Sequence, residues 1–537
     1  MFFWRKNQVR TRFAPSPTGY LHFGSLKTIL YDYLFAKQNG GKFILRIEDT
    51  DQTRQVEGAI ESLLKTLKWV GLALDEGVFL NAGGKAAERG HFGPYTQSQR
   101  LKIYQEYARK LLKAGQAYYC FCSSERLENL RKEQEAAKKP TRYDWHCRHL
   151  TEDEVKAKLD KGEKYVIRLK VPENQEVEFT DWVRGTVKIN TNEIDDQILL
   201  KSDGFPTYHL AVVIDDHLMK ITHVLRGEEW VSSTPKHILL YAAFGWTPPE
   251  FIHLPLILNP DHSKLSKRQG DVTVEDYRAD GYLPEALINY SALLGWNPGT
   301  EQEIFSLKEL IKAFDLRKVH KAGAIFDREK LDWLNSVYIK KLPLEKFVEL
   351  AMPFFLNVIP TKPERRVEES LRPLTKGSLD FAMANAIAPL GMTKEMVRKI
   401  LALEQTRISK LSEVGKGMEF FFTEKLDYDA KILVWKKSPP KADSPLAKNK
   451  TAENLESLIK ELESYPAGEW DKNKLEEKIK NFIKEKNLDN GSILWPMRVA
   501  LTGLQKSPTP FEVADILGKE KTLERLKNAI EKLKSNI

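Results

Sequence analysis

The chain has 537 residues, 42% hydrophobic and 30% charged, with 84 lysines and arginines against 75 acids for a formal charge of +9. That length exceeds one hydrophobic core, that composition excludes wholesale disorder, and the basic excess permits a polyanionic partner such as RNA without demanding one. No run of about 18 apolar residues occurs, and the apolar-then-basic opening Met1–Lys6 lacks the order of a secretory leader, so a cytoplasmic protein with no membrane span is expected.

Residues 8–13 read as a short strand. A helix follows, with Leu26, Ile29, Leu30, Tyr33 and Leu34 at helical spacing, and Gly40-Gly41 stops it. Phe43-Ile44-Leu45-Arg46-Ile47 is an apolar run suited to a buried parallel strand. The three make a β-α-β unit whose loop, carrying His22, feeds a helix N-terminus. Unpaired N–H groups and the positive dipole end gather there, which suits a phosphate. Taken alone, His22-x-Gly24 fits a plain packing turn equally well.

Residues 77–95, rich in Gly and Ala, read as a surface loop, and 100–160 as mainly helical and strongly charged. Inside that block Cys120-Phe121-Cys122 is followed, after 24 residues, by Cys147-Arg148-His149, which uses every cysteine in the chain. Three thiolates and one imidazole at this spacing can close a tetrahedral structural zinc site, with His146 as an alternative ligand. The plainer reading is buried cysteines beside a surface histidine.

Residues 164–200 alternate as strands do, in Tyr165–Val171 and Thr186–Ile189. This block interrupts the nucleotide-binding fold, whose second half resumes near Gln197–Lys201 and runs through Tyr208–Asp216. Lys264 and Lys267 then stand at i, i+3 on a loop preceded by Asn259-Pro260-Asp261. Two ammonium groups there can follow the charge that builds on a triphosphate as it reacts. Past about 320 the chain reads as helical, with amphipathic stretches at Leu455/Leu458/Ile459/Leu462, Leu475/Ile479/Phe482/Ile483 and Leu523/Leu526/Ile530/Leu533. The tract 438–445, rich in Pro and Ser, divides this part. No internal repeat is present.

The loop Arg12–Ser25, with its His22-Phe23-Gly24, and the segment Lys264-Leu265-Ser266-Lys267-Arg268 resemble the two signatures of class I aminoacyl-tRNA synthetases. The likeness narrows with Arg46-Ile47-Glu48-Asp49-Thr50-Asp51, Gly93-Pro94-Tyr95, Pro206-Thr207-Tyr208-His209-Leu210-Ala211, Gly227-Glu228-Glu229-Trp230 and Pro496–Gly503. These are similar to bacterial or organellar glutamyl-tRNA synthetases over essentially the whole chain. Ala14-Pro15-Ser16-Pro17 stands where glutaminyl enzymes carry Pro-Pro-Glu-Pro, which favours the glutamyl branch.

The resemblance implies an α/β fold: a class I Rossmann-type catalytic domain (1–92 and 197–258) with an inserted acceptor-binding domain (93–196). A stem-contact region (259–335) and two all-α anticodon-binding domains (336–440 and 441–537) follow. It implies a monomer that uses ATP and Mg²⁺ to join glutamate to tRNA(Glu), with structural Zn²⁺ in the insertion. His22, Gly24, Ser25, Glu228, Lys264 and Lys267 would serve ATP, with His22, Lys264 and Lys267 catalytic. Arg12 and Arg226 would serve carboxylates, Glu48 the ammonium, and Ser16 and Tyr208 would add hydrogen bonds. An ordinary ion pair with an acid such as Glu228 is the plain alternative for Arg226. Val212 lacks the Asn that some members carry four residues past the Tyr. The Arg that reads the third anticodon base falls near Gln405-Thr406-Arg407; if Gln405 holds that position, tRNA(Gln) would be charged as well. The competing identities are a paralogue that glutamylates a queuosine base in tRNA, which resembles the catalytic half only, and a non-catalytic RNA-binding relative.

Overall fold

The structure, a computed structural model, describes residues 8–265, 273–359, 387, 392–435 and 444–535. The chain forms two compact units. One comprises Met1–Arg278 and Tyr282–Leu334, the other Ala279–Gly281 and Asn335–Ile537.

The first unit opens with β1 (Arg10–Phe13), β2 (Lys42–Leu45), β3 (Glu76–Leu80) and β4 (Ala86–Arg89), hydrogen-bonded in that order. The first three are parallel, and the helix Phe23–Gln38 links β1 to β2. That helix is apolar on nearly every side, with Phe23, Leu26, Ile29, Leu30, Tyr31 and Leu34 sealed from solvent. A helix with so little polar face must be covered all round.

The expected loop at 77–95 is in part a hairpin: β4 returns antiparallel to β3. Its sequence signal is weak because Ala86–Arg89 is fully exposed and so shows no alternation. Gly77 is required at its position. It sits at φ +114°, and a Cβ there would fall 2.1 Å from the carbonyl oxygen of Leu45.

The block expected to be one insertion divides between two sheets. β5 (Ala117–Cys120), β6 (Val166–Leu169) and, further on, β9 (Ile198–Leu200) form an antiparallel sheet. The strands between them, β7 (Glu176–Asp181) and β8 (Gly185–Asn190), join β10 (His223–Gly227) and β11 (Glu250–Leu254) instead, in the order β10-β11-β7-β8. Strands on the β10–β11 sheet thus occur before residue 197, and β9, expected to open the second half, pairs with β6. Alternation along a strand reports which face is covered, not which partner covers it. The short strands β12 (Ile257–Leu258) and β13 (Ala324–Ile325) pair in parallel.

The two large sheets meet at β1 and the start of β10. The Thr222 N–H donates to the Arg10 carbonyl at 3.0 Å, and the Arg10 N–H donates to Thr222 Oγ1 at 2.8 Å. From β1 the chain order runs outward through β2, and from β10 it runs the other way through β11. The carboxyl ends of β1 and β10 thus flank a point where strand order reverses, where α/β sheets open a crevice for ligands.

The second unit is helical among its described residues. Its helices are Leu344–Val358, Lys394–Gln405, Pro445–Glu463, Lys472–Glu485, Asn490–Thr502 and Pro510–Lys534. The predicted stripes Leu455/Leu458/Ile459/Leu462 and Leu475/Ile479/Phe482/Ile483 are buried, as are Leu526, Ile530 and Leu533. Of the tract 438–445, residues 438–443 lie outside the described residues. Its end starts a helix: Ser444 Oγ accepts the Ala447 N–H at 3.2 Å and Pro445 takes the first turn. Among the described residues no helix is long and apolar enough to cross a membrane.

Candidate functional site

A cavity of about 450 Å³ opens at the carboxyl ends of β1 and β10, within the size range of small-molecule sites. Arg12, Ser16, His22, Gly24, Ser25, Glu48, Tyr208, Arg226 and Lys264 line it. Residues from widely separated places in the chain converge there, Arg12 and Arg226 from the carboxyl-terminal parts of β1 and β10 and His22, Gly24 and Ser25 from a helix start.

His22 caps the helix Phe23–Gln38. Its Nδ1 accepts the Gly24 N–H at 2.9 Å. The neutral ring therefore carries its proton on Nε2, the nitrogen that can donate to a phosphate oxygen. Lys264 Nζ lies 3.7 Å from Glu229 Oε1. Ser266, Lys267 and Arg268 lie outside the described residues. Glu228, expected on ATP, is turned away from the cavity: it pairs with Arg184, and its Oε1 accepts the Leu256 N–H at 2.9 Å. Glu229 lines the wall in its place. Adjacent acids on the turn after β10 face opposite ways, which sequence alone does not rank.

Beneath the cavity runs a buried set of charges. Arg12 Nε donates to Asp216 at 3.1 Å, Arg46 donates to Asp216 at 2.7 Å and to Glu48 at 3.1 Å, and Arg100 donates to Asp215 at 2.7 Å. Burial works against the charge on Asp216, but Arg12 and Arg46 outweigh it and hold its pKa below the usual value. Burial dominates at Glu48 and raises its pKa. Arg12 therefore reaches the cavity already paired.

Arg226 does not. Among the described residues no carboxylate oxygen stands within ion-pair distance of it. Its donors go to neutral groups: the Tyr208 hydroxyl at 3.0 Å, Thr234 Oγ1 at 2.7 Å, the Trp230 carbonyl at 3.3 Å and His253 Nε2 at 3.0 Å. The side chain is buried, and burial lowers its pKa. A buried guanidinium without a counter-charge is costly, and a ligand carboxylate is the group that would relieve it. The alternative of a pair with Glu228 does not hold, since Glu228 is taken by Arg184.

Lys27 was not expected at the site. It projects from the buried helix to the cavity wall, donates to the Pro255 carbonyl at 2.9 Å, and burial lowers its pKa to about 8. The signal was present: a charged residue on a helix whose neighbouring positions are mostly apolar. Asp32, five residues on, is buried with neither carboxylate oxygen hydrogen-bonded, and burial drives its pKa well up.

The sulfurs of Cys120, Cys122 and Cys147 lie within 4.8 Å of one another, with Cys122 and Cys147 3.6 Å apart. Three thiolates on one tetrahedral zinc with bonds of about 2.3 Å stand roughly 3.8 Å apart, so the spacing fits the metal. The hydrogen bond between Cys120 and Cys147 holds the Cys120 pKa down and pushes that of Cys147 up, so the two share a proton that a bound metal would displace. His149 and His146 are exposed and outside this group. The Tyr143 hydroxyl occupies the side facing Cys120 and Cys122, at 3.3 and 3.4 Å. The rigid turn Trp145–Arg148, closed by the Arg148 N–H to the Trp145 carbonyl, buries Cys147 and carries His149 outward.

In the second unit Gln405 is half-buried, and its amide donates to the carbonyls of Ile339 and Leu342 at 3.0 and 2.8 Å. Arg407 is exposed and pairs with Glu512 at 3.2 Å.

The sequence matches the family described as tRNA synthetases class I (E and Q), catalytic domain, over residues 8–333, and an anticodon binding domain over residues 346–530. It is 46% identical over 527 residues to the glutamate–tRNA ligase of Clostridioides difficile (strain 630), covering 96% of this chain and 98% of that protein. It is 45% identical to that of Alkaliphilus metalliredigens (strain QYMF), covering 98% and 99%. Among solved structures, a glutamate tRNA ligase from Elizabethkingia meningosepticum CCUG26117, in complex with its amino acid, superimposes with a TM-score of 0.81 at 38% identity. The match covers 98% of this chain and 99% of that one.

Proposed function

The chain belongs to the glutamyl-tRNA synthetases of class I, and from that premise we propose that it uses ATP to attach glutamate to the 3′ end of tRNA(Glu). The observation that carries the substrate assignment is Arg226: a buried guanidinium held by neutral partners, facing a cavity whose opposite wall is the His22 helix start. The glutamate side-chain carboxylate supplies the missing counter-charge, and Glu48 takes the ammonium.

The α-carboxylate then attacks the α-phosphate, forming the mixed anhydride glutamyl-adenylate and releasing pyrophosphate. His22, through Nε2–H, and the positive end of the helix that it caps hold the phosphates, while Lys264 and Lys267 meet the charge gathering on the departing pyrophosphate. Mg²⁺ enters with ATP as the counter-ion of the triphosphate. A terminal ribose hydroxyl of the tRNA next attacks the acyl carbon, and AMP leaves. Positioning and electrostatics carry both steps, with no covalent enzyme intermediate. Zn²⁺ would be held by the thiolates of Cys120, Cys122 and Cys147 and would shape the insertion that meets the acceptor end.

The reading includes tRNA(Gln) as a second acceptor on the condition that the neutral Gln405, rather than Arg407, holds the anticodon-reading position. The test is incorporation of labelled glutamate into purified tRNA(Glu) and tRNA(Gln) side by side. Charging of both is expected. Background incorporation into tRNA(Gln) sinks the second acceptor, and background into both sinks the enzyme.

A further inference from the structure

Arg226 is fixed at its Nε by a second layer of residues. Arginine can only donate, so the Arg226 Nε–H directed at His253 Nε2, 3.0 Å away, requires a lone pair on that nitrogen. The proton of a neutral His253 ring then sits on Nδ1, which faces Asp181 Oδ2 at 2.7 Å. Asp181 is itself pinned: its Oδ1 accepts the N–H groups of Val183 and Arg184 at 2.9 and 2.7 Å, and its Oδ2 accepts the His253 N–H at 3.0 Å. His253 and Asp181 are buried. Three residues from three neighbouring strands, Asp181 at the end of β7, His253 on β11 and Arg226 on β10, thus form one file of hydrogen bonds ending at the cavity.

We propose that His253, oriented by Asp181, is a positioning residue for substrate selection: as a neutral acceptor it fixes the Arg226 fork while leaving the guanidinium charge to the ligand carboxylate. This rests on the assignment of Arg226 to the glutamate side chain. A carboxylate at the Nε2 position would quench the charge that selects glutamate, and a donor there would push the fork away. Burial, with Arg226 and Arg184 nearby, lowers the His253 pKa despite Asp181, which keeps the ring an acceptor. Thr234 Oγ1, 3.2 Å from His253 Nε2, accepts from Arg226 on its other arm and can turn its own hydrogen to the Trp230 carbonyl at 3.2 Å. The acceptor on Nε2 therefore remains available to Nε.

Two neutral amides separate this role from mere filling of the core. A Gln side chain carries its amide oxygen to the depth of the imidazole Nε2, towards Arg226. An Asn amide stops at the depth of Nδ1, towards Asp181. The experiment measures KM for glutamate and for ATP in aminoacylation of tRNA(Glu) by the full-length protein and its His253→Gln and His253→Asn variants. Asn is expected to raise KM for glutamate about tenfold or more and Gln only a few-fold, with KM for ATP within about twofold in both. An equal rise in the two variants, a larger rise with Gln, or KM for ATP moving in step with KM for glutamate overturns the proposal.

If either variant does not fold by circular dichroism, Asp181→Asn makes the same test. It presents an amide donor to Nδ1, moves the ring proton to Nε2, and sets two donors against each other at Arg226. KM for glutamate unchanged in that variant also overturns the proposal. Wild-type protein that incorporates no glutamate is a distinct result, which overturns the function on which the inference rests.

Discussion

Nothing in the local sequence ranks Arg12 above Arg226 as the partner of a carboxylate. Asp216 partners Arg12, whereas neutral oxygens and imidazoles surround Arg226. That difference is the ground for assigning the substrate carboxylate to Arg226 in the proposed function. Arg226→Lys keeps the charge and removes the planar fork that satisfies Tyr208, Thr234 and His253 together. We expect kcat/KM for glutamate to fall about 10- to 100-fold, or roughly 1.4–2.7 kcal/mol, with KM for ATP nearly unchanged. Comparable losses for the two substrates in steady-state kinetics would place Arg226 outside the amino-acid pocket. Lys27 carries a similar lesson. Its position in a buried helix was legible, but that its ammonium reaches the cavity wall at Pro255 was not, because the carbonyl that receives it lies more than 200 residues away.

At the scale of elements, the cysteine turn and the Lys394–Gln405 helix each carry a prediction. Spacing alone nominated Cys120, Cys122, Cys147 and His149 as equals, and the structure separates the thiols from the histidine. His149→Ala should therefore retain zinc and Cys147→Ser should lose it, as read by metal analysis of purified protein. Metal lost on His149→Ala, or none in the wild type, contradicts this donor set. In the second unit Glu404, buried, accepts the Gly415 N–H at 2.9 and 3.0 Å, and burial raises its pKa to about 7. The sign follows from linkage. The unfolded chain binds its proton near pH 4.5 and the folded one near 7, so the neutral acid favours the fold. This contribution is fully present below pH 4.5 and is lost as pH rises towards 7, by up to about 3 kcal/mol. Glu404→Gln keeps an acceptor for Gly415 and should flatten that part of the stability curve in urea titrations. An unchanged slope between pH 4.5 and 7 would show that Glu404 ionises freely.

At the scale of the whole molecule, the sequence determined the kinds of parts and most of their order. The strand at 8–13, the apolar run at β2, the buried helix after β1, the His22 loop, the clustered cysteines and the helical second half follow from periodicity and residue chemistry, which are local properties. The tertiary structure decided the pairings. Strands β7 and β8 went to the β10–β11 sheet, the exposed β4 closed a hairpin, and Glu228 turned to Arg184 while Glu229 took the cavity wall. Only the fold also placed Asp181, His253 and Arg226 in one file across three strands. The reason is physical: alternation and helical spacing state which face of an element must be covered. Which partner covers it, and which of two neighbouring charges is left without a counter-charge, depend on contacts between residues far apart in the chain.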